Sequence, residues 1–85
     1  MTSVYYTSVF AKHFKRLPKR IKLAAVKQEK RFRANPLQPR LKTHVLGGKL
    51  KGYYSFSVTY RYRILFAIEK GGEITFIDIG THSIY

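Results

Sequence analysis

The sequence predicts an α+β fold of two layers, in which helices cover one face of a mostly antiparallel sheet and the element order is β-α-α-β-β-β. Three observations predict it: a short β-branched and aromatic segment near the start, apolar residues at helical spacing between Phe10 and Phe32, and polar–apolar alternation between glycine turns from Tyr53 onward. With 85 residues there is room for one hydrophobic core, so residues 1–85 read as a single domain.

The elements follow in order. Residues 3–8, Ser-Val-Tyr-Tyr-Thr-Ser, have the composition of a short strand. A helix is expected to start near Ser8, because Phe10, Phe14 and Leu17 then form one apolar stripe. Pro18 ends that helix or begins the next. Residues 19–33 predict a second helix with Ile21, Ala24, Ala25 and Phe32 on its buried face, and Lys19, Arg20, Lys22, Lys27, Lys30, Arg31 and Arg33 around the rest. The tight joint suggests an antiparallel helical hairpin. Asn35-Pro-Leu-Gln-Pro39 breaks regular structure, and a loop with Leu41, His44 and Leu46 leads to Gly47-Gly-Lys-Leu-Lys-Gly52. Residues 53–60 predict a strand with Tyr54, Phe56, Val58 and Tyr60 on one face. Residues 62–69 place Tyr62, Ile64, Phe66 and Ile68 together, with Arg63, Leu65 and Ala67 opposite. Gly71-Gly72 turns the chain into a last strand, residues 73–80. One face of the sheet is left over, with Ser, Thr and Arg on it.

Charge is the strongest compositional signal. Seventeen Lys and Arg against four acids give a formal net charge of +13, which attracts polyanions over long range. Nucleic acid is the expected partner, since neutralising each phosphate releases condensed counterions. With 45% hydrophobic residues the chain is expected to fold despite that charge. A membrane span is not expected, because the longest apolar run, Ile64 to Ile68, falls far short of the roughly 20 residues required. No signal peptide is expected and the sequence holds no Cys, so a cytoplasmic location is expected and disulfide, thiolate-metal and Cys-nucleophile chemistry is excluded. Three scattered His and Asp78 show no metal-ligand spacing, and neither metal nor cofactor is expected.

The segments Leu46-Gly-Gly-Lys-Leu-Lys-Gly-Tyr-Tyr-Ser-Phe-Ser57, Tyr62-Arg-Ile-Leu-Phe66 and Asp78-Ile-Gly-Thr-His-Ser-Ile-Tyr85, with Phe14-Lys-Arg-Leu-Pro18 and Asn35-Pro36 before them, occur in one order. In that order they resemble the RelE/ParE toxin superfamily over about the whole chain, and most of all its RelE/YafQ-like mRNA interferases. The resemblance implies a toxin of a type II toxin–antitoxin system that cleaves mRNA, usually inside the ribosome, and is held inactive by an acidic antitoxin in a joint oligomer.

Metal-free RNA cleavage needs a base for the ribose 2′-hydroxyl, an acid for the leaving 5′-oxygen and fixed positive charge at the phosphorane. Arg63 matches the superfamily's strand arginine at the scissile phosphate, and its planar fork suits that contact. His82 matches a position near the end of the last strand and is assigned general acid or phosphate binder. Tyr85 mirrors the terminal aromatic, one residue closer to His82 than in YafQ-like chains. His44 precedes the glycine loop and is the candidate general base. Lys49 and Lys51 are assigned to phosphate contact, and in an extended segment both would aim the same way. Arg61 would bind another phosphate. His13, beside the apolar stripe, is read as structural. Many relatives carry Arg or His where Ser57 stands, and YafQ-like chains have an acid near Arg61. The alternatives are a ParE-like inhibitor of DNA gyrase without nuclease activity and an inert RNA-binding module.

Overall fold

In the computed structural model residues 3–81 are described. The elements are β1 (Val4–Tyr6), α1 (Ser8–Lys15), α2 (Lys19–Ala34), β2 (His44–Val45), β3 (Tyr53–Ser57), β4 (Arg63–Ile68) and β5 (Ile74–Gly80), with 3₁₀ turns at Pro39–Leu41 and Gly48–Leu50. The strands form one sheet in the order β1-β5-β4-β3-β2. β1 runs parallel to β5, and the other neighbours are antiparallel. The architecture is the expected α+β one, with a mostly antiparallel sheet.

Each helix is anchored by sequence-local chemistry. Thr7 caps α1: its Oγ1 accepts the Phe10 N–H at 3.0 Å and donates to the Ile77 carbonyl on β5 at 2.7 Å. Pro18 opens α2, where its missing N–H costs nothing. Ile21, Ala25, Gln28 and Phe32 then recur on one buried stripe. Phe32 is fully buried and lies 4.7 Å from Phe56, 4.9 Å from Phe66 and 5.5 Å from Phe76 between ring centroids. That cluster fastens α2 over β3, β4 and β5. Phe10 continues it toward β1 by stacking on Tyr6 at 5.4 Å.

The sequence-based element boundaries need three corrections. β3 ends at Ser57, not at residue 60, and β4 begins at Arg63. Strands over 53–60 and 62–69 would leave one residue for a hairpin turn, which is too few. The chain instead closes a wider turn: the Val58 N–H donates to the Tyr62 carbonyl at 2.8 Å, and Thr59 Oγ1 accepts from the Tyr62 N–H at 3.2 Å. Tyr60, expected on the core face, is 94% exposed at the turn's tip. The segment read as a loop around His44 contains β2, an edge strand of two residues with no periodicity to reveal it. Finally, β5 carries a bulge. Leu65 pairs with Asp78 and Phe66 with Phe76, so Ile77 is the extra residue. The bulge lets Ile74, Phe76 and Ile79 all reach the core.

Candidate nucleic-acid interface

Strand register determines which side chains share a face. Ile64 and Phe66 of β4 belong to the core under the helices, so Arg63 and Leu65 project from the other side. Arg63 pairs with Ser57 and with Gly80. Ser55 pairs with both Leu65 and His44. Directly paired residues project on the same side of an antiparallel ladder. His44, Ser55, Ser57, Arg63 and Leu65 therefore occupy one continuous surface. Its floor is Ser55 and Leu65, both buried, and Tyr53, Ser57, Arg63 and Ala67 around it are half-buried. His44 and Arg63 lie diagonally across β3, roughly 12 Å apart between Cα atoms by ordinary strand spacing and rise.

The local structure around His44 gives it a defined tautomer. Lys42 caps the preceding 3₁₀ turn in the left-handed conformation, φ 49°, and turns the chain into β2. The His44 ring then donates Nδ1–H to the Lys42 carbonyl. In the neutral ring that leaves the Nε2 lone pair free, which is the form a proton acceptor needs. Arg61 is exposed in the β3–β4 turn, at the same end of the sheet as Arg63.

The two loop lysines are elsewhere. They lie in the β2–β3 connection, beyond Tyr53, whereas Arg63 pairs at Ser57, roughly 13 Å along the strand. The expectation that an extended segment aims Lys49 and Lys51 alike is also overturned. Lys49 is inside the 3₁₀ turn Gly48–Leu50 and Lys51 ends it. With about three residues per turn, side chains two positions apart diverge. His82 and Tyr85 lie outside the described residues.

Two long-range contacts escaped sequence reading. His13 Nδ1 is 2.6 Å from Asp78 Oδ1, joining α1 to the β5 bulge. The pair spans 65 positions, and no local pattern announces it. Gln28, buried on α2, donates Nε2–H to the Ser57 carbonyl at 2.8 Å and so reaches the strand that carries the site. Among the described residues no group of three His, Cys, Asp or Glu side chains comes together to hold a metal.

Three of the four acids, Glu29, Glu73 and Asp78, make side-chain contacts. Arg33 binds Glu29 at 3.0 Å, the only Lys or Arg paired with a carboxylate among the described residues. Tyr6 donates to the same carboxylate. Burial, and then this hydrogen bond to Glu29, holds the Tyr6 phenol above its ordinary range. The hydrogen bond with Tyr6 and then that with Glu29 raise the Arg33 guanidinium in turn. Arg61, Arg63, Lys49, Lys51 and the lysines of α2 remain uncompensated, so the field of the protein is anion-attracting on both layers.

The same fold occurs in known proteins. The structure of YafQ from E. coli strain BL21(DE3) superposes with a TM-score of 0.76 at 23% identity, covering 99% of this chain and 97% of that one. A YoeB/ParE toxin from Agrobacterium tumefaciens gives a TM-score of 0.79 at 18% identity, over 95% of this chain and 99% of that one. The RelBE2 toxin–antitoxin complex from Mycobacterium tuberculosis gives 0.79 at 23% identity, over 95% and 98%. No curated protein matches by sequence. A helix pair over a five-stranded sheet with this likeness defines the fold that this chain shares with those toxins. Within it, the profile of the ParE toxin of the type II toxin–antitoxin system parDE matches residues 4–84. The chain belongs to that family.

Proposed function

We propose that this toxin is an endoribonuclease that cleaves mRNA, probing it on the ribosome and using no metal. The observation that supports the reading best is the shared sheet face, where a guanidinium and an imidazole with a free Nε2 flank Ser55 and Ser57. His44 Nε2 takes the proton of a ribose 2′-hydroxyl, and the oxygen attacks the adjacent phosphorus. Arg63 offsets the charge that grows on the phosphorane oxygens. The bond to the 5′-oxygen breaks as that oxygen takes a proton, a role assigned to His82. The products are a 2′,3′-cyclic phosphate and a 5′-hydroxyl. Arg61 holds a neighbouring phosphate, with Lys49 and Lys51 gripping the strand further along, and Tyr85 orients the ribose. An acidic antitoxin segment covering this cationic surface would silence it. Similar structures include antitoxin complexes, among them DinJ-YafQ from E. coli.

The test is induced expression followed by mapping of transcript 5′ ends, with Arg63→Gln and His44→Gln alongside. New 5′ ends should appear within coding regions. Removing Arg63 should reduce cleavage about 10²–10³-fold, the usual effect of losing one transition-state donor. Removing the base should cost about 10²–10⁴-fold. The rival reading, a gyrase inhibitor without nuclease activity, is favoured by the ParE profile match and by the uncharged Ser57 beside Arg63. It requires the opposite result: intact transcripts, DNA damage, and toxicity that survives both substitutions.

A further inference from the structure

The cleft between the C-terminal end of α1 and the paired ends of β4 and β5 has a volume of about 390 Å³. His13, Arg16, Leu17, Tyr62, Asp78 and Gly80 line it together with Ile79 and Thr81. Asp78 Oδ1 accepts the Ile79 backbone N–H at 2.7 Å and holds His13 Nδ1 at 2.6 Å. The backbone thus fixes the carboxylate, and the carboxylate fixes the ring. Its Nε2 makes no hydrogen bond among the described residues, and neither does the Arg16 guanidinium. The helix dipole explains why basic residues gather at the end of α1. It does not explain why one of only four acids in the chain is used to orient an imidazole beside an arginine.

We propose that this cleft is a phosphate-binding subsite built on His13 and Arg16. Its natural ligand, another backbone phosphate of the strand held at Arg63, rests on the nucleic-acid reading above. Gly80, which lines the cleft, is the direct partner of Arg63, whose side chain leaves the opposite face, so one strand reaches both by passing round this end of the sheet. With an anion present, His13 donates Nδ1–H to Asp78 and Nε2–H to the ligand. The imidazolium and Asp78 offset one another, so the Arg16 charge is left for the phosphate. Tyr62 also lines the cleft. Asp78 is a positioning residue here, since it acts through His13.

The test uses the full chain with two probes, inorganic phosphate and a short single-stranded oligouridylate. Histidine ring signals are followed by NMR, and RNA affinity by fluorescence anisotropy. Both probes should shift the His13 ring signals. His13→Ala and Arg16→Ala should each weaken RNA binding roughly tenfold, the loss expected for one charge-assisted hydrogen bond. Asp78→Asn keeps an acceptor but should broaden the His13 response. His13→Gln serves if the alanine variant fails to fold. A phosphate response without RNA binding would sustain the anion subsite while sinking the nucleic-acid reading. RNA binding with His13 unperturbed and both variants at wild-type affinity would overturn the subsite and leave the nuclease proposal standing. No response to either probe would overturn it as well.

Discussion

Replacing Gln28 by Met tests how α2 supports the strand that carries the candidate site. The Val58 N–H bonds the Tyr62 carbonyl, so the neighbouring Ser57–Arg63 couple is a non-hydrogen-bonded pair of the ladder. The Ser57 carbonyl then faces away from β4, past the end of β2, and takes its hydrogen bond from Gln28 Nε2 at 2.8 Å. Gln28 is only 7% exposed, so water cannot readily substitute. Methionine has nearly the same length and volume, and repacking adds less than about 1.5 kcal/mol. The dominant cost is the stranded carbonyl, about 1–3 kcal/mol. At about 2 kcal/mol the melting temperature should drop by roughly 8–16 °C for a domain this small. Arg31, whose Nη1 bonds Gln28 Oε1 at 2.8 Å, can turn to solvent and should add little. Gln28→Glu should be worse at neutral pH, because it sets a carboxylate against a carbonyl. That placement raises the new group's folded-state pKa, so the penalty is present at high pH and relieved as pH falls through it. Thermal melts by circular dichroism across pH check both variants. A Gln28→Met melt within about 3 °C of wild type, against the 4–8 °C expected per kcal/mol, would refute the reasoning.

Phe32→Ala removes the ring shared by Phe56, Phe66 and Phe76 and should cost about 3–5 kcal/mol. Chemical denaturation should show a sharply lowered midpoint, since the loss is a large share of the about 4–13 kcal/mol that a chain of this length holds in total. Thr7→Ala deletes both the α1 cap and the bond to Ile77 and should lose about 1–2 kcal/mol in the same assay. The raised Tyr6 pKa stabilises the fold below the unfolded phenol value near 10 and loses that contribution as pH rises through the folded value. Tyr6→Phe should therefore flatten the alkaline limb of the stability–pH profile, read by denaturant midpoints between pH 9 and 11.

Much of the fold was legible because local pattern and burial coincide. The Ile21, Ala25, Phe32 stripe and the Tyr54–Phe56 and Ile64–Phe66 alternations are set by short-range periodicity, and the structure buries those faces. Arg63 was legible for the same reason: period-two counting puts it opposite Ile64. What could not be read depends on pairing between distant segments. The two-residue β2 exists only because β3 offers it an edge. The β5 bulge is defined by its partner strand, and with it the reach of Asp78 to His13. Tyr60 looked like a core residue because alternation runs on past Ser57, while the turn needed the residues that alternation claimed. Lys49 and Lys51 were aligned by an assumed extended backbone, which the glycines around them do not adopt.

The parallel pairing of β1 with β5 bears on when the molecule can assemble. Val4, Tyr5 and Tyr6 dock on Ile74, Thr75 and Phe76, each 70 positions further along the chain. Contacts of such long sequence separation form late and slowly. While the chain is still emerging, the first strand has no edge to join, and the Phe76 side of the aromatic cluster is missing. A toxin wired this way stays incomplete until the β5 segment has been made and has left the ribosome.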